Sequence, residues 1–366
     1  MGTKETASQK TIANTLGCSI STVSRVLSGK YEKYRISDET ANLILKTAEE
    51  MGYIPDELAR SLKTNKSNTI GLIIPDIANP HFATIAKIIE NEARKVGYSI
   101  VLSDSQESSE GESESIHLLK SRRVDGIIIC PVGSDSTDLK RIIELNIPLV
   151  IADRIIKGLK CPFVVSDNYR GALEAVRHLI HMNHRSIACI QGKTDTSVND
   201  ERVRGFRDAH VESSIPLNEK LIVGNNFGKQ NGYIWTKIIL KRNPRPTAIL
   251  GLSNLISLGA IKAIYENGLS IPEDISLICF DEQPYSAYMR TPMTTIAQQT
   301  NEIGQIAFNL LISEINGIFH GEKISNENNG VIIPTELIQR DSVLKLEMKK
   351  DDRIIHNFKF IDDKQN

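Results

Sequence analysis

The stretch Gly17-Cys18-Ser19-Ile20-Ser21-Thr22-Val23-Ser24-Arg25-Val26-Leu27-Ser28 places a tight turn before a short amphipathic helix. Gly17 permits the turn, because a residue without Cβ reaches positive φ at no steric cost. Ser19 can cap a helix over residues 20–27 through its hydroxyl. Val23, Val26 and Leu27 then share one side of it, at the spacing of a helix face. Upstream, Ser8 can cap a helix ending at Leu16, with Ile12, Ala13 and Leu16 on one face. Two short helices about a glycine turn make a helix-turn-helix candidate. Downstream, Ser37 can cap a third helix over residues 38–51, with Asp38 and Glu39 in the first turn and Gly52 as its stop. Acids belong there because the helix dipole is positive at that end.

The second helix turns Ile20, Ser21, Thr22, Ser24 and Arg25 away from its apolar side. Such a half-helix suits a major groove, where hydroxyls meet phosphates or bases and an arginine fork fits guanine O6 and N7. An ordinary helical hairpin with polar residues facing water is the competing reading. Charge bears on the choice. Over residues 1–68, Lys and Arg number 10 against 8 Asp and Glu, while the rest of the chain has 34 against 37. Within residues 8–35, Lys10, Arg25, Lys30, Lys33 and Arg35 face only Glu32. A basic module on a slightly acidic body is a local footprint for a polyanion, although a solvated face can look the same.

The quoted run closely resembles the DNA-reading signature of the LacI/GalR (lactose/galactose repressor) family. The resemblance continues through Ala48-Glu49-Glu50-Met51-Gly52-Tyr53-Ile54-Pro55 and Ala59-Arg60-Ser61-Leu62-Lys63, then along the body to about Val343. It implies DNA contacts from Ser19, Ile20, Ser21, Thr22, Ser24, Arg25 and Tyr53. The loop Lys30-Tyr31-Glu32-Lys33-Tyr34-Arg35 departs from the family by being longer and more basic. Lys33 and Arg35 are candidates for backbone contacts there, with a merely longer loop as the alternative. Residues 56–64 could form only about two helical turns, marginal in water because nucleation costs more than a few hydrogen bonds return. The resemblance implies that they form a hinge helix, paired between two subunits in the minor groove. Ala59, Arg60 and Lys63 would contact DNA there, and Leu62 would wedge into a base step.

Beyond residue 69 the chain alternates short apolar strands, at 70–74, 99–102, 126–130, 148–152, 163–165, 187–190, 248–252 and 276–280, with amphipathic helices. The helices include 83–96, 112–121, 169–182, 228–241 and 255–267. That order reads as doubly wound α/β with parallel sheets, and its length favours two lobes. The fold class is therefore α + α/β: a helix-turn-helix headpiece (1–55), a hinge helix and linker (56–68), a two-lobed periplasmic-binding-protein-like domain (69–343) and a tail (344–366). The resemblance places crossovers near 166–167, 298 and 326–330. One lobe is then 69–166 plus about 298–326, and the other 167–297 plus about 327–343.

Ligands of open α/β sheets lie beyond the carboxyl ends of strands. Asn79, His81, Phe82, Asp153, Arg154, Ser253 and Asp281 stand at such ends. Arg202 is read as opening the helix before Gly205-Phe206, Phe227 as opening another helical stretch, and Gln298 as sitting at a crossover. Each matches a position that the family uses for its effector. Carboxylates, an arginine fork and aromatic faces suit a polyol, so a sugar or sugar derivative is expected. Two departures bear on its identity. Ser253-Asn254 stands where the family often has Asn-Asp, and His81 where phenylalanine is usual.

Enzyme signals fail. Gln191-Gly192-Lys193-Thr194 ends like a phosphate loop, but Ile187 occupies the place of the first required glycine. His178, His181 and His184 lack a carboxylate to complete a metal set, and no G-x-S-x-G elbow is present. With 40% apolar and 24% charged residues and a net charge of −1, the 366-residue chain is globular and carries no global polyanion-binding field. Its five cysteines have no C-x-x-C pattern, which suggests neither a disulfide framework nor a zinc site. No cofactor, membrane span or export signal is expected, and the location should be cytoplasmic. The expected function is that of an effector-controlled transcription regulator, of repressor type and not an enzyme. Its partners would be a palindromic operator in duplex DNA, a carbohydrate-like effector and a second copy of itself. A solute-binding sugar receptor is the alternative reading. The tail mixes six basic with five acidic residues and carries no assigned role.

Overall fold

In the computed structural model, residues 7–53, 66–319 and 330–347 are described. The chain divides into two compact units, Met1–Ser67 and Asn68–Asn366. The first holds α1 (Gln9–Leu16), α2 (Ile20–Leu27) and α3 (Asp38–Glu50). Each starts on the serine that its sequence marks. Ser8 accepts a hydrogen bond from the Thr11 amide, Ser19 from Thr22 and Ser37 from Thr40. The Thr11 hydroxyl accepts in turn from the Ser8 amide at 2.7 Å, a reciprocal cap. Gly17 ends α1 at φ 61°. Helices of eight residues are marginal alone. Ile12, Val23, Val26 and Ile44, all buried, join the three in one small core, rimmed by Leu16, Tyr31, Ile36 and Tyr53. The expected hinge over 56–64 lies outside the described residues, and with it Ala59, Arg60, Leu62 and Lys63.

The second unit is built on two six-stranded sheets. The first contains β1 (Thr69–Ile74), β2 (Ser99–Asp104), β3 (Gly126–Ile129), β4 (Leu149–Ala152), β5 (Phe163–Ser166) and β11 (Gly330–Ile333). Their order is β11-β5-β4-β3-β1-β2, all parallel. The second contains β6 (Ile187–Ile190), β7 (Ile222–Val223), β8 (Ala248–Gly251), β9 (Ser276–Phe280), β10 (Thr294–Ala297) and β12 (Glu336–Ile338). Its order is β12-β10-β9-β8-β6-β7, with β12 alone antiparallel. Helices α4 (Pro80–Lys95), α5 (Ser109–Ser121), α6 (Thr137–Glu144) and α11 (Thr300–Phe319) accompany the first sheet, and α7 (Asn168–His181), α8 (Ser197–Glu212), α9 (Lys229–Leu240) and α10 (Asn254–Glu266) the second. Apolar layers cover both faces of each sheet. That explains unbroken runs such as Ile127-Ile128-Ile129, because strands buried on both sides have no polar face to alternate with.

Two sequence expectations need correction. β11 pairs with β5 in the first sheet, so residues 330–333 do not belong to the second lobe, and the last crossing falls between β11 and β12 rather than at 326–330. Close approach makes that pairing possible. The Phe163 ring lies 2.0 Å from where a Cβ on Gly330 would stand, so a larger residue would require that ring to move. Arg202 does not open a helix, since α8 begins at Ser197 and carries Arg202 in its second turn. β7, β10, β11 and β12 span two to four residues each and are strands that the sequence reading lacks.

α9 and α10 meet at backbone distance. A Cβ on Gly232 would lie 2.0 Å from the Ile256 carbonyl oxygen, and one on Gly259 2.0 Å from that of Lys229. Neither backbone can yield as a side-chain tip would. Gly259→Ala is therefore expected to destabilise the second unit by about 1–3 kcal/mol through overpacking. The urea midpoint of the full chain measures this, and an unchanged midpoint would show that the helices can part.

Candidate functional site

The carboxyl ends of the parallel strands converge on a polar cluster contributed by both sheets. Beyond β1, Asn79 caps α4 through the His81 amide, with Pro80 in the first turn. His81 Nε2 lies 2.8 Å from Asp153 Oδ1, both side chains being buried. Asp153 and Arg154 follow β4 directly. The Arg154 guanidinium donates to both Glu107 carboxylate oxygens, at 3.1 and 2.8 Å, and to the Pro131 carbonyl. It stands 5.7 Å from the Phe82 ring centre and 5.2 Å from that of Phe227. Phe82 also belongs to the apolar layer beneath, so packing shares its role. Phe227 precedes α9, whose cap is Gly228. Its ring lies 2.1 Å from an ideal Cβ on Gly192. The glycine of the abortive phosphate loop thus makes room for an aromatic ring.

The second sheet supplies the facing groups. Arg202 is 3% exposed, and its Nε and Nη1 donate to Asn168 Oδ1 at 2.8 Å and the Leu252 carbonyl at 2.6 Å. Its guanidinium lies 3.5 Å above the Phe280 ring centre, with Asp281 Oδ1 at 3.9 Å. Asp281 follows β9 at φ 78° and accepts from the Asn254 amide and from Gln298 Nε2 at 2.6 Å. Ser253 caps α10 and donates to the Phe227 carbonyl. Asn254 Nδ2 donates to Asn79 Oδ1 at 2.9 Å, joining the two halves. Beside the cluster, His81, Thr84, Asp281, Gln283, Gln298 and Glu336 line part of a cavity of about 390 Å³.

Electrostatics tie these groups together. Burial works against the charged His81 ring, but the Asp153 carboxylate lifts its pKa above the ordinary 6.5. Burial likewise works against the Asp153 carboxylate, yet His81 and the arginines hold it below 3.8. Burial lowers the Arg202 pKa against the pull of Asp281. The cluster offers directional donors and acceptors beside aromatic faces, an arrangement for holding a hydroxylated ligand. Nearby, burial keeps the Cys279 thiol well above its usual range.

All ten residues read from the sequence for this site lie in or against the cluster. Glu107, Asn168 and Asn254 were missed. Asn254 follows Ser253 directly and Glu107 lies in the turn after β2, so the strand-end rule could have found both. Asn168 meets Arg202 only through the fold.

In the first unit, Ser19, Ile20, Ser21 and Arg25 are exposed on α2, while Thr22 and Ser24 are half-buried. Lys33 and Arg35 are exposed in the following loop. Tyr53 packs against the small core and its hydroxyl accepts from Gln9 Nε2 at 3.1 Å. Elsewhere His184 is a structural peg. Its ring nitrogens meet Thr247 Oγ1 and the Leu344 carbonyl, and burial brings its pKa down to about 4. Among the described residues no cluster of His, Cys, Asp and Glu could hold a metal ion, and no helix is long and apolar enough to cross a membrane.

Residues 10–56 match the family of bacterial regulatory proteins of the lacI type, and residues 67–341 match the family of periplasmic binding proteins and the sugar-binding domain of the LacI family. The HTH-type transcriptional regulator DegA of Bacillus subtilis is 34% identical over 297 residues, which is 80% of this chain and 87% of DegA. The ribose operon repressor of Haemophilus influenzae is 29% identical over 343 residues, covering 93% of this chain and all of the relative. Among solved structures, a LacI family transcriptional regulator from Enterococcus faecium with bound ribose is 30% identical, with a TM-score of 0.67 over 76% of this chain and 100% of that one.

The His81–Asp153 pair sets a pH window. A raised histidine pKa stabilises the fold below the unfolded value near 6.5, and this is lost as pH rises through the raised value. A lowered aspartate pKa stabilises above the unfolded value near 3.8, and this is lost as pH falls through the lowered value. Asp153→Asn should therefore cost most stability between about pH 4 and 6.5, roughly 3 kcal/mol for breaking a buried pair. Urea titrations should find the gap from wild type narrowing by pH 9. A gap independent of pH would show that the pair is not ionic.

Proposed function

This chain belongs to the LacI family of bacterial regulatory proteins, and from that premise we propose how its two units divide the work. The protein is a sequence-specific DNA-binding repressor controlled by a small-molecule effector. We infer that the effector is a sugar or sugar derivative bound between the two sheets. The supporting observation is the convergence of Asp153, Arg154, Arg202, Asp281 and Gln298 with Phe82 and Phe227 at strand ends. Carboxylates accept from hydroxyls, arginine edges donate to adjacent oxygens, and the rings cover an apolar sugar face. His81, Asn79 and Ser253 hold these groups in place.

On the DNA side, Ser19, Ile20, Ser21, Thr22, Ser24 and Arg25 enter a major groove, with Arg25 on a base edge and Lys33 and Arg35 on phosphates. Two copies dock together on a palindrome whose half-sites lie about one helical turn apart. Effector binding biases the hinge, where Leu62 wedges into the minor groove, and so couples two distant sites.

A melting-temperature screen of the full chain against ribose, other pentoses and hexoses tests the effector class, since a ligand of the native state raises the transition. Absence of any shift with neutral sugars would move the assignment to another class. Arg202→Lys keeps the charge but loses the fork. It should leave operator affinity unchanged and weaken the effector response about tenfold, the worth of one charged hydrogen bond. Arg25→Ala should relax preference at one base pair of each half-site, whereas Lys33→Ala should weaken all duplexes alike and lower the salt slope by about one. Identical behaviour of the two variants on random and selected DNA would refute that division of roles.

A further inference from the structure

Between α2 and α3 the chain runs through a loop of ten residues, 28–37. Its backbone is tied at both ends. Lys30 N donates to the Arg25 carbonyl, and the Tyr34, Arg35 and Ile36 amides close back onto Tyr31 and Glu32, forming a single 3-10 turn over Glu32–Tyr34. Tyr31 and Ile36 pack against the core of the first unit, so the residues between them are held in place. Tyr34 is not buried with them. The residue is 46% exposed, and its ring centre lies 4.1 Å from the guanidinium carbon of Arg25.

The geometry points to Tyr34 as a specificity-determining positioning residue: we propose that its ring holds Arg25 in the orientation from which the arginine reads a base edge. Stacking occupies the face of the guanidinium and leaves its five N–H donors free in the plane. Among the described residues those donors meet no hydrogen-bond or ion-pair acceptor. A free arginine on a helix surface samples many rotamers and loses them on docking. One already stacked on a fixed ring has less to lose, which is the advantage of preorganisation. Tyr34 thus acts through Arg25 and need not touch DNA. This inference rests on Arg25 being the base reader.

The test uses the full-length protein and a duplex enriched by the wild type from a randomised palindromic pool, with single base-pair variants of that duplex. Arg25→Ala identifies the base pair that the arginine reads. Tyr34→Ala should lose about three- to fivefold in discrimination at that same base pair, the range of an exposed cation–π contact, with other positions and the salt slope unchanged. Tyr34→Phe keeps the ring and should behave as wild type. If Tyr34→Ala weakens every duplex equally and lowers the salt slope, the tyrosine is a phosphate contact and the proposal fails. It fails equally if discrimination is unaltered while Arg25→Ala remains selective. If Arg25→Ala itself is unselective, the base-reading assignment falls and this inference falls with it.

Discussion

An ionised side chain leaves water at a cost of several kcal/mol unless a counter-charge or dipole receives it, and that constraint organises the second unit. His81, Asp153, Arg154, Arg202 and Asp281 are all buried at the carboxyl ends of two sheets. Each is tolerated because another sheet end or loop delivers its partner: Asp153 for His81, Glu107 for Arg154, Asn168 and the Leu252 carbonyl for Arg202. Each lobe thus satisfies its own buried charges. The bond from Asn254 to Asn79 joins one half to the other, so the polar cluster is also the seam of the fold.

The same arrangement bears on the proposed ligand control. On the proposed reading, a hydroxylated ligand would replace partners that the donors and acceptors of this cluster already give one another. The exchange is close to neutral for each hydrogen bond, so the balance between lobe arrangements is set by small differences. Such a balance is what a small molecule can tip. The chain crosses between lobes after β5, after β10 and between β11 and β12. A change in the seam is therefore carried by three strands rather than by one linker.

The first unit works under the opposite limit, too little core rather than too much buried charge. Three short helices share a handful of apolar residues, and serine caps at each start supply hydrogen bonds that a larger domain would obtain from packing. The apolar sides of α1 and α2 being committed to that core, the polar side of α2 is left facing outward. Arg25 stands on it, and the loop beyond turns back to meet that arginine with Tyr34.

The sequence alone determined the three headpiece helices to within a residue, because serine caps, Gly17 and a 3.6-residue period act over a few positions. It also determined eight core strands, whose apolar runs are long enough to read, and the residues at strand ends, because parallel α/β sheets present their ligand sites there. The family signature was legible for the same reason: its chemistry sits in consecutive residues. Only the tertiary structure decided what depends on distant partners. Strands β7, β10, β11 and β12 escape the sequence reading; β7, β11 and β12 lie at sheet edges and β10 between β9 and β12, each formed where a neighbour offers hydrogen bonds. β11 joins the first sheet by pairing with β5, Gly330 opposite Phe163, residues far apart in the chain. The pairings of Arg154 with Glu107, Arg202 with Asn168 and Asn254 with Asn79 were likewise invisible, since a side chain's charge is written in the sequence but the group that neutralises it is chosen by the fold.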